Sequence, residues 1–275
     1  MQNWREWSSH KQRLATGGLL AVPLMATLSF GPMWSWLLLV ALVGSLGLWE
    51  LQRLFFPDGL PVKWQVFHIC VGLLFPAAAF AGGPGGLLGA LLAAVLSGLV
   101  FILLHSPLDA NGVNRIALLT LGWVYVPFNL SYALLLGSGS QGRAWVYFII
   151  FLIAAGDIGA YYSGRKWGRI RLYPDVSPKK TVEGSIGGAL ASVATGVLFG
   201  MAFLGGPKPV EFLLLSLILA IVGQVGDLIE SMIKRVSGRK DSSRMLPGHG
   251  GILDRLDSLL FVFPSTWCFL QWLAK

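Results

Sequence analysis

Nine apolar runs alternate with short polar segments along this chain, at roughly 14–30, 33–51, 64–81, 84–104, 116–136, 144–163, 185–204, 209–230 and 252–273. Each approaches the roughly 20 residues that a helix needs to cross the hydrocarbon core of a bilayer. Inside lipid, backbone polar groups must be satisfied within their own segment, so runs of this kind are helices rather than isolated strands. Turn residues mark the breaks, among them Gly31-Pro32, Gly82-Gly83-Pro84 and Gly205-Gly206-Pro207. The pattern predicts an all-α polytopic membrane protein of about nine transmembrane helices. About five fall in an N-terminal region, 1–140. The C-terminal region, 141–275, carries two longer polar loops, 164–184 and 231–251. The first apolar run follows a basic head, as in a signal peptide. No small-x-small cleavage site is evident and further spans follow at once, so it reads as a retained first helix.

Composition agrees. Hydrophobic residues make up 55% of 275 positions and charged residues 12%, about half the charged fraction of a soluble domain. Mean hydropathy is +0.67. The two cysteines, Cys70 and Cys268, lie in apolar runs and suggest neither a disulfide framework nor a metal motif.

Charge sets an orientation. With the N-terminus in the cytoplasm and nine crossings, eighteen of the 21 lysines and arginines fall on the cytoplasmic side. Only Arg143, Lys208 and Lys275 fall outside. That asymmetry follows the positive-inside rule and puts the C-terminus outside. The net charge of +8 also favours anionic lipid headgroups. It does not explain why the loops 164–184 and 231–251 hold most of the positive charge.

Carboxylates in apolar helices are costly, so they mark candidate chemistry. Glu50, Asp157, Asp227, Glu230, Asp254 and Asp257 all fall toward the cytoplasmic side in this topology. Asp227/Glu230 and Asp254/Asp257 are i,i+3 pairs, expected to share a helix face. The helices bearing them run antiparallel through one loop, so the pairs converge at one depth. Converging carboxylates repel unless a cation or protons intervene, and an oxygen-rich set suits Mg²⁺. Asp254 and Asp257 are also explained by the dipole of a helix start. Asp227 and Glu230 sit at the unfavourable end and need Lys234, Arg235 or a metal. Glu50 reads equally as an interfacial acid or a functional one. His68 and His105 read as polar packing residues.

Between the acid pairs lies KRVSGRKDSSRMLPGHGG, and a second basic loop reads SPKKTVEGSIGG, 177–188. Basic side chains beside carboxylates suit a metal-bound polyphosphate, and a helix start after the second loop favours anions. GDIGAYYSGRKWGR and GDLIESMIKRVSGRK also share a Gly-Asp followed by a basic pair, a weak hint of internal duplication. No Walker motif, zinc motif or nucleophile elbow is present. The residues alone suggest a cytoplasm-facing, metal-dependent site for phosphate-bearing groups.

The run SMIKRVSGRKDSSRMLPGHGGILDRLDS, 231–258, resembles the signature of phosphatidate cytidylyltransferases. Its elements are Ser231, Lys234-Arg235, Lys240-Asp241, Pro247-Gly248-His249-Gly250-Gly251 and Asp254-Arg255-Leu256-Asp257. The likeness covers about 156–258 in detail, while the first five helices match only in general character. It implies transfer of CMP from CTP to phosphatidic acid, giving CDP-diacylglycerol and pyrophosphate, with Mg²⁺. It further implies Asp227 and Asp254 as metal ligands, with Asp257 third or adjacent, and a second cation, K⁺. Asp227, Asp254, Lys234, Arg235, Lys240, Asp241 and His249 are the implied catalytic set; His249 helps the leaving group or fixes the turn. Asp157, Lys179, Lys180, Ser231, Arg239, Gly250, Gly251 and Arg255 are the implied substrate-binding set. CTP, phosphatidic acid, the bilayer and a second copy of the chain are the expected partners, without nucleic acid. A bacterial inner membrane is the expected location. The rival readings are a CTP-dependent polyprenol or lipid kinase and a cation-coupled transporter.

Overall fold

The computed structural model describes residues 9–105, 110–205 and 208–273. Both chain ends, and with them Arg5 and Lys275 of the charge count, lie outside the described residues, as does Gly206-Pro207 of the third break. Six described helices are long and apolar enough to cross a membrane: Met33–Phe55, Val62–His105, Asn111–Gly137, Gly142–Trp167, Val182–Phe203 and Pro209–Val236. The chain is thus a largely helical, multi-pass membrane protein.

It forms two compact units. One comprises Met1–Leu134 with Arg239–Leu256; the other comprises Leu135–Gly238 with Asp257–Lys275. The basic loop after Pro209–Val236, placed by sequence in a C-terminal region, is therefore split, and from Arg239 onward it belongs with the N-terminal helices.

The first unit contains α1 (Ser9–Phe30), α2 (Met33–Phe55), α3 (Val62–His105), α4 (Ala110–Trp123), a π-helical turn (Val124–Phe128), the start of α5 (Asn129–Gly137) and the short α9 (Leu253–Leu256). α3 is a hairpin of two helical arms. Gly83, at φ 59° and ψ −146°, breaks it, a conformation open in practice only to glycine. A Cβ on Gly86 would lie 3.1 Å from the Ala78 carbonyl carbon, so residues eight apart touch. At the other end Lys63 Nζ donates to His105 O at 3.4 Å, and Phe67 stacks on Phe101 with centroids 4.0 Å apart. The runs at 64–81 and 84–104 are these two arms. Trp36, Trp64, Trp123 and Phe75 fill the unit's core. His68 is a packing residue, as expected: its ring lies 3.2 Å from Gln52 Oε1 and 3.0 Å from Leu119 O.

The second unit contains α6 (Gly142–Trp167), the antiparallel hairpin β1 (Arg171–Tyr173) and β2 (Ser177–Thr181), α7 (Val182–Phe203), α8 (Pro209–Val236) and α10 (Leu259–Leu273). The second basic loop is therefore partly β structure, a departure from the all-α expectation outside the apolar runs. Thr181 ends the hairpin and caps α7 by accepting from Gly184 N at 3.1 Å. α6 and α7 pack nearly backbone to backbone. A Cβ on Gly159 would lie 2.6 Å from Ala191 Cβ, and one on Gly187 would overlap Ser163 Cβ and Oγ. Ser163 Cβ cannot rotate away. Gly187→Ala is therefore expected to cost about 1–3 kcal/mol through overpacking, read as a lower thermal midpoint in detergent.

One expected helix is interrupted. The run 252–273 forms α9, a turn at Asp257-Ser258 and then α10. Asp254 and Asp257 consequently do not share one continuous helix face. Local hydrogen bonds divide them: Asp257 Oδ1 accepts from Ser258 N at 2.6 Å, while Asp254 Oδ2 accepts from Gly251 N at 2.7 Å.

Candidate active site

In the second unit, small residues bring the polar chemistry together. A Cβ on Gly226 would lie 2.7 Å from Asp257 O. The bare backbone of α8 thus admits the turn before α10 beside Asp227. The close α6–α7 contact places Asp157 on the same cavity. This cavity, of about 420 Å³, is lined by Asp157, Lys179, Lys180, Asp227, Gln224 and Ser185 among others. Lys180 Nζ donates to Asp227 Oδ2 in an ion pair. Ser231 Oγ stands 3.5 Å from Asp227 Oδ1. The two Gly-Asp stretches that resemble one another in sequence thus each supply an aspartate to one cavity.

Asp257 reports the electrostatics of this corner. It lies in the turn, outside the spanning helices. Burial first, then the carboxylate of Asp227, push its carboxyl up to about 7; Asp157 adds to the rise, while the Ser258 N–H and Lys234 oppose it. A carboxyl held there is shared about equally between its neutral and anionic forms near neutral pH, and a bound cation would favour the anion.

Of the Asp227/Glu230 pair on α8, Glu230 takes the expected Lys234 and Asp227 does not. Glu230, fully buried, pairs with Lys234 one turn on. Asp227 takes Lys180 instead, from β2. Arg235 Nε donates to Val176 O at 3.1 Å, tying α8 to the β-hairpin. Lys234 and Arg235 thus organise this end of α8, while Lys179 and Lys180 line the cavity.

In the first unit, Asp254 and the glycine turn form a separate constellation. Asp254 Oδ2 accepts from Ser242 N at 3.0 Å, Ser242 Oγ at 2.8 Å and Gly251 N at 2.7 Å. Leu246 N donates to Gly250 O at 2.8 Å and closes the Pro-Gly-His-Gly turn. Gly250 sits at φ 79°. His249 packs near Gly17, whose added Cβ would lie 3.8 Å from the imidazole. Lys240, Asp241 and Arg255 are exposed and Arg239 is half-buried.

Sequence reasoning left two contributors unassigned. One is the Ser242-Ser243 pair inside the basic run. The other is Glu50, an acid in an apolar helix, which binds this loop. The signal for Glu50 was its cost in an apolar segment. The signal for the serines was only their place inside the motif.

Among the described residues, no three His, Cys, Asp or Glu side chains are gathered as an all-protein metal cage. Mg²⁺ does not require one, since it commonly binds through one or two carboxylates, waters and substrate phosphates. Asp157, Asp227 and Asp257 offer oxygen donors only, and their mutual repulsion is the kind a divalent cation relieves. The donor chemistry of this corner fits Mg²⁺.

The family profile for cytidylyltransferases matches residues 11–273. The chain belongs to the cytidylyltransferase family. A phosphatidate cytidylyltransferase of Bacillus subtilis (strain 168) is 33% identical over 267 residues, 94% of this chain and 97% of that relative. One from Brucella suis biovar 1 (strain 1330) is 45% identical over 140 residues, 50% of this chain and 52% of the relative. One from Staphylococcus haemolyticus (strain JCSC1435) is 42% identical over 148 residues, 54% of this chain and 55% of the relative. The last two alignments thus span about half the length of those relatives. The first extends across both compact units. As a cytidylyltransferase, the chain is a nucleotidyltransferase-type enzyme, and its family membership agrees with the resemblance carried by residues 231–258.

Proposed function

We propose that this protein transfers CMP from CTP to phosphatidic acid, forming CDP-diacylglycerol and pyrophosphate. Family membership and the full-length likeness to a phosphatidate cytidylyltransferase support the reaction. The structural observation that carries it is the cavity of the second unit, where Asp157 and Asp227 face Lys179 and Lys180. One substrate is a lipid and the other a soluble triphosphate, so the reaction belongs at a membrane surface. Nine passes are the path that supports this best: the two arms of α3, the other five long helices, the apolar part of α1 and α10. With the N-terminus cytoplasmic, the positive-inside count puts the basic loops on the CTP side.

A phosphate oxygen of phosphatidic acid attacks the α-phosphorus of CTP. The bond from that phosphorus to the oxygen bridging the α- and β-phosphates breaks, and pyrophosphate leaves. The attacking oxygen is already anionic, so no strong general base is needed. The protein's task is to bring two anions together in line and to balance the charge on the leaving group. Lys179 and Lys180 supply cationic donors at the cavity. Asp227 orients Lys180 through their ion pair. When bound, Mg²⁺ would neutralise and align phosphate oxygens, held by Asp227 and Asp257 with Asp157 close by. Asp254 enters the proposed metal set through the motif; in the first unit its Oδ2 is engaged by loop donors. The resemblance likewise supports K⁺ as a second cation, a homodimer and a bacterial inner membrane.

The test is to supply purified protein with phosphatidic acid and CTP labelled on either the α- or the γ-phosphate, with Mg²⁺ or EDTA. Mg²⁺-dependent α-label in the lipid is the expected result. Incorporation of γ-label into a lipid acceptor would instead identify a CTP-dependent kinase. No lipid product from folded protein would overturn both readings.

A further inference from the structure

Glu50 lies near the end of α2 and is fully buried. Burying a carboxylate is expensive unless donors satisfy it. Its hydrogen bonds among the described residues all come from one remote loop. Oε1 accepts from Ser243 Oγ at 2.6 Å and Ile252 N at 3.0 Å. Oε2 accepts from Ser242 Oγ at 2.9 Å and Leu253 N at 2.8 Å. These groups bracket the glycine turn on both sides, so a single carboxylate clamps the stretch 242–253 at its two ends. All of these contacts lie within the first unit.

The clamp reaches Asp254 through one atom. Ser242 Oγ contacts both Glu50 Oε2 and Asp254 Oδ2. A hydroxyl carries one proton, so it donates to one carboxylate at a time and links the placement of the two. Gly251 shows how tight the arrangement is. A Cβ there would overlap Ser242 Oγ and would lie 2.6 Å from Glu50 Oε1. The second glycine of the Gly-Gly pair is therefore required by the serine and carboxylate behind it. Its own backbone is not at positive φ among the described residues.

We infer that Glu50 is a positioning residue of this enzyme: from α2, its carboxylate holds the 242–253 loop and thereby sets the placement of Asp254. The inference rests on the proposed reaction for its catalytic consequence, but its hold on the loop can be read without turnover. A glutamine at this position keeps the volume and replaces one acceptor oxygen by an NH₂ group, so a donor faces donors. Ser243→Ala removes only one of the four donors and is the milder companion.

The experiment compares purified full-length wild type, Glu50→Gln and Ser243→Ala in one detergent. It reads kcat, KM for phosphatidic acid, thermal midpoint and the rate of tryptic cleavage after Arg244, an exposed loop residue. Glu50→Gln is expected to lower kcat about 30-fold, a cost of displacement rather than of lost chemistry. Its KM for the lipid should stay within about twofold, and cleavage should accelerate about tenfold as the loop opens. Ser243→Ala should move kcat and cleavage in the same direction by about threefold. If Glu50→Gln does not fold, Ser243→Ala decides by itself. Wild-type kcat and wild-type cleavage in the folded variants would overturn the inference. So would a loss of kcat that merely tracks the folded fraction. If the wild type fails to turn over phosphatidic acid, the functional reading falls, while the cleavage comparison still decides whether Glu50 holds the loop.

Discussion

Asp227→Asn should lower kcat about a thousandfold, a loss of about 4 kcal/mol in transition-state stabilisation, in a protein that remains folded. The substitution keeps the shape of the side chain and removes its charge. Two things are lost together. Lys180 loses its ionic partner, and Asp257 loses the neighbouring carboxylate that, after burial, does most to raise its carboxyl. Groups preorganised around developing phosphate charge typically contribute 10²–10³ each, and Asp227 acts on both the lysine and the proposed cation. The Mg²⁺ concentration for half-maximal rate should rise in any residual activity. The pair is partly exposed, with side-chain accessibilities of 30% and 29%, so breaking it should change stability little. The measurement is turnover of labelled CTP at saturating substrate, with the thermal midpoint as a check on folding. A loss of less than tenfold in well-folded protein would remove Asp227 from the site.

The second large effect is expected from Gly251→Ala. A methyl group would occupy the space of Ser242 Oγ and the Glu50 carboxylate. Neither can simply step aside, because the carboxylate holds Ser243 Oγ, Ile252 N and Leu253 N, and Ser242 Oγ sits between the carboxylates of Glu50 and Asp254. The loop must shift, and a displacement of about 1 Å at a reacting centre can cost 10²-fold. We therefore expect kcat to fall about 100-fold, with overpacking costing about 1–3 kcal/mol of stability. Gly89→Ala is the matching control. Nothing lies within 4 Å of a Cβ there, and a helical Gly→Ala change is ordinarily stabilising by about 0.5–1 kcal/mol. Equal activity in the two variants would mean that the loop tolerates movement and that its tight packing has no catalytic consequence.

Several features were legible in one dimension because they depend on local composition or contiguous spacing. Apolar run length specifies membrane helices, since lipid offers the backbone no other partner. Gly82-Gly83-Pro84 marks the bend that became the α3 hairpin. The motif from Ser231 to Ser258 carries the family because its gaps are contiguous. Asp157, Lys179, Lys180 and Asp227 all stand out in the sequence, as costly acids or as part of a basic loop, and they line one cavity.

Partnership was the harder problem. Lys234 pairs with Glu230 at the i,i+4 spacing of one helix, as the sequence allows, but Asp227 takes Lys180, 47 residues away. Ion pairs follow from which side chains a fold brings into reach, and the β1–β2 hairpin presents β2 to α8. The interruption at Asp257 was likewise invisible to hydrophobicity, because competing hydrogen bonds to local backbone groups end α9 there.

The amino-acid sequence by itself determined that the chain is a multi-pass helical membrane protein, that most of its positive charge lies in two loops, and that one of these loops, with the residues that follow it, bears a cytidylyltransferase signature. These follow from hydrophobic run length and from residues adjacent in the chain. Only the tertiary structure decided what each acid binds. Glu50 meets Ser243 across 193 positions, and Asp157 shares a cavity with Asp227 because glycine-rich helices approach closely. No local pattern encodes such pairings, since they depend on how separate helices pack and on which buried polar groups must then satisfy one another.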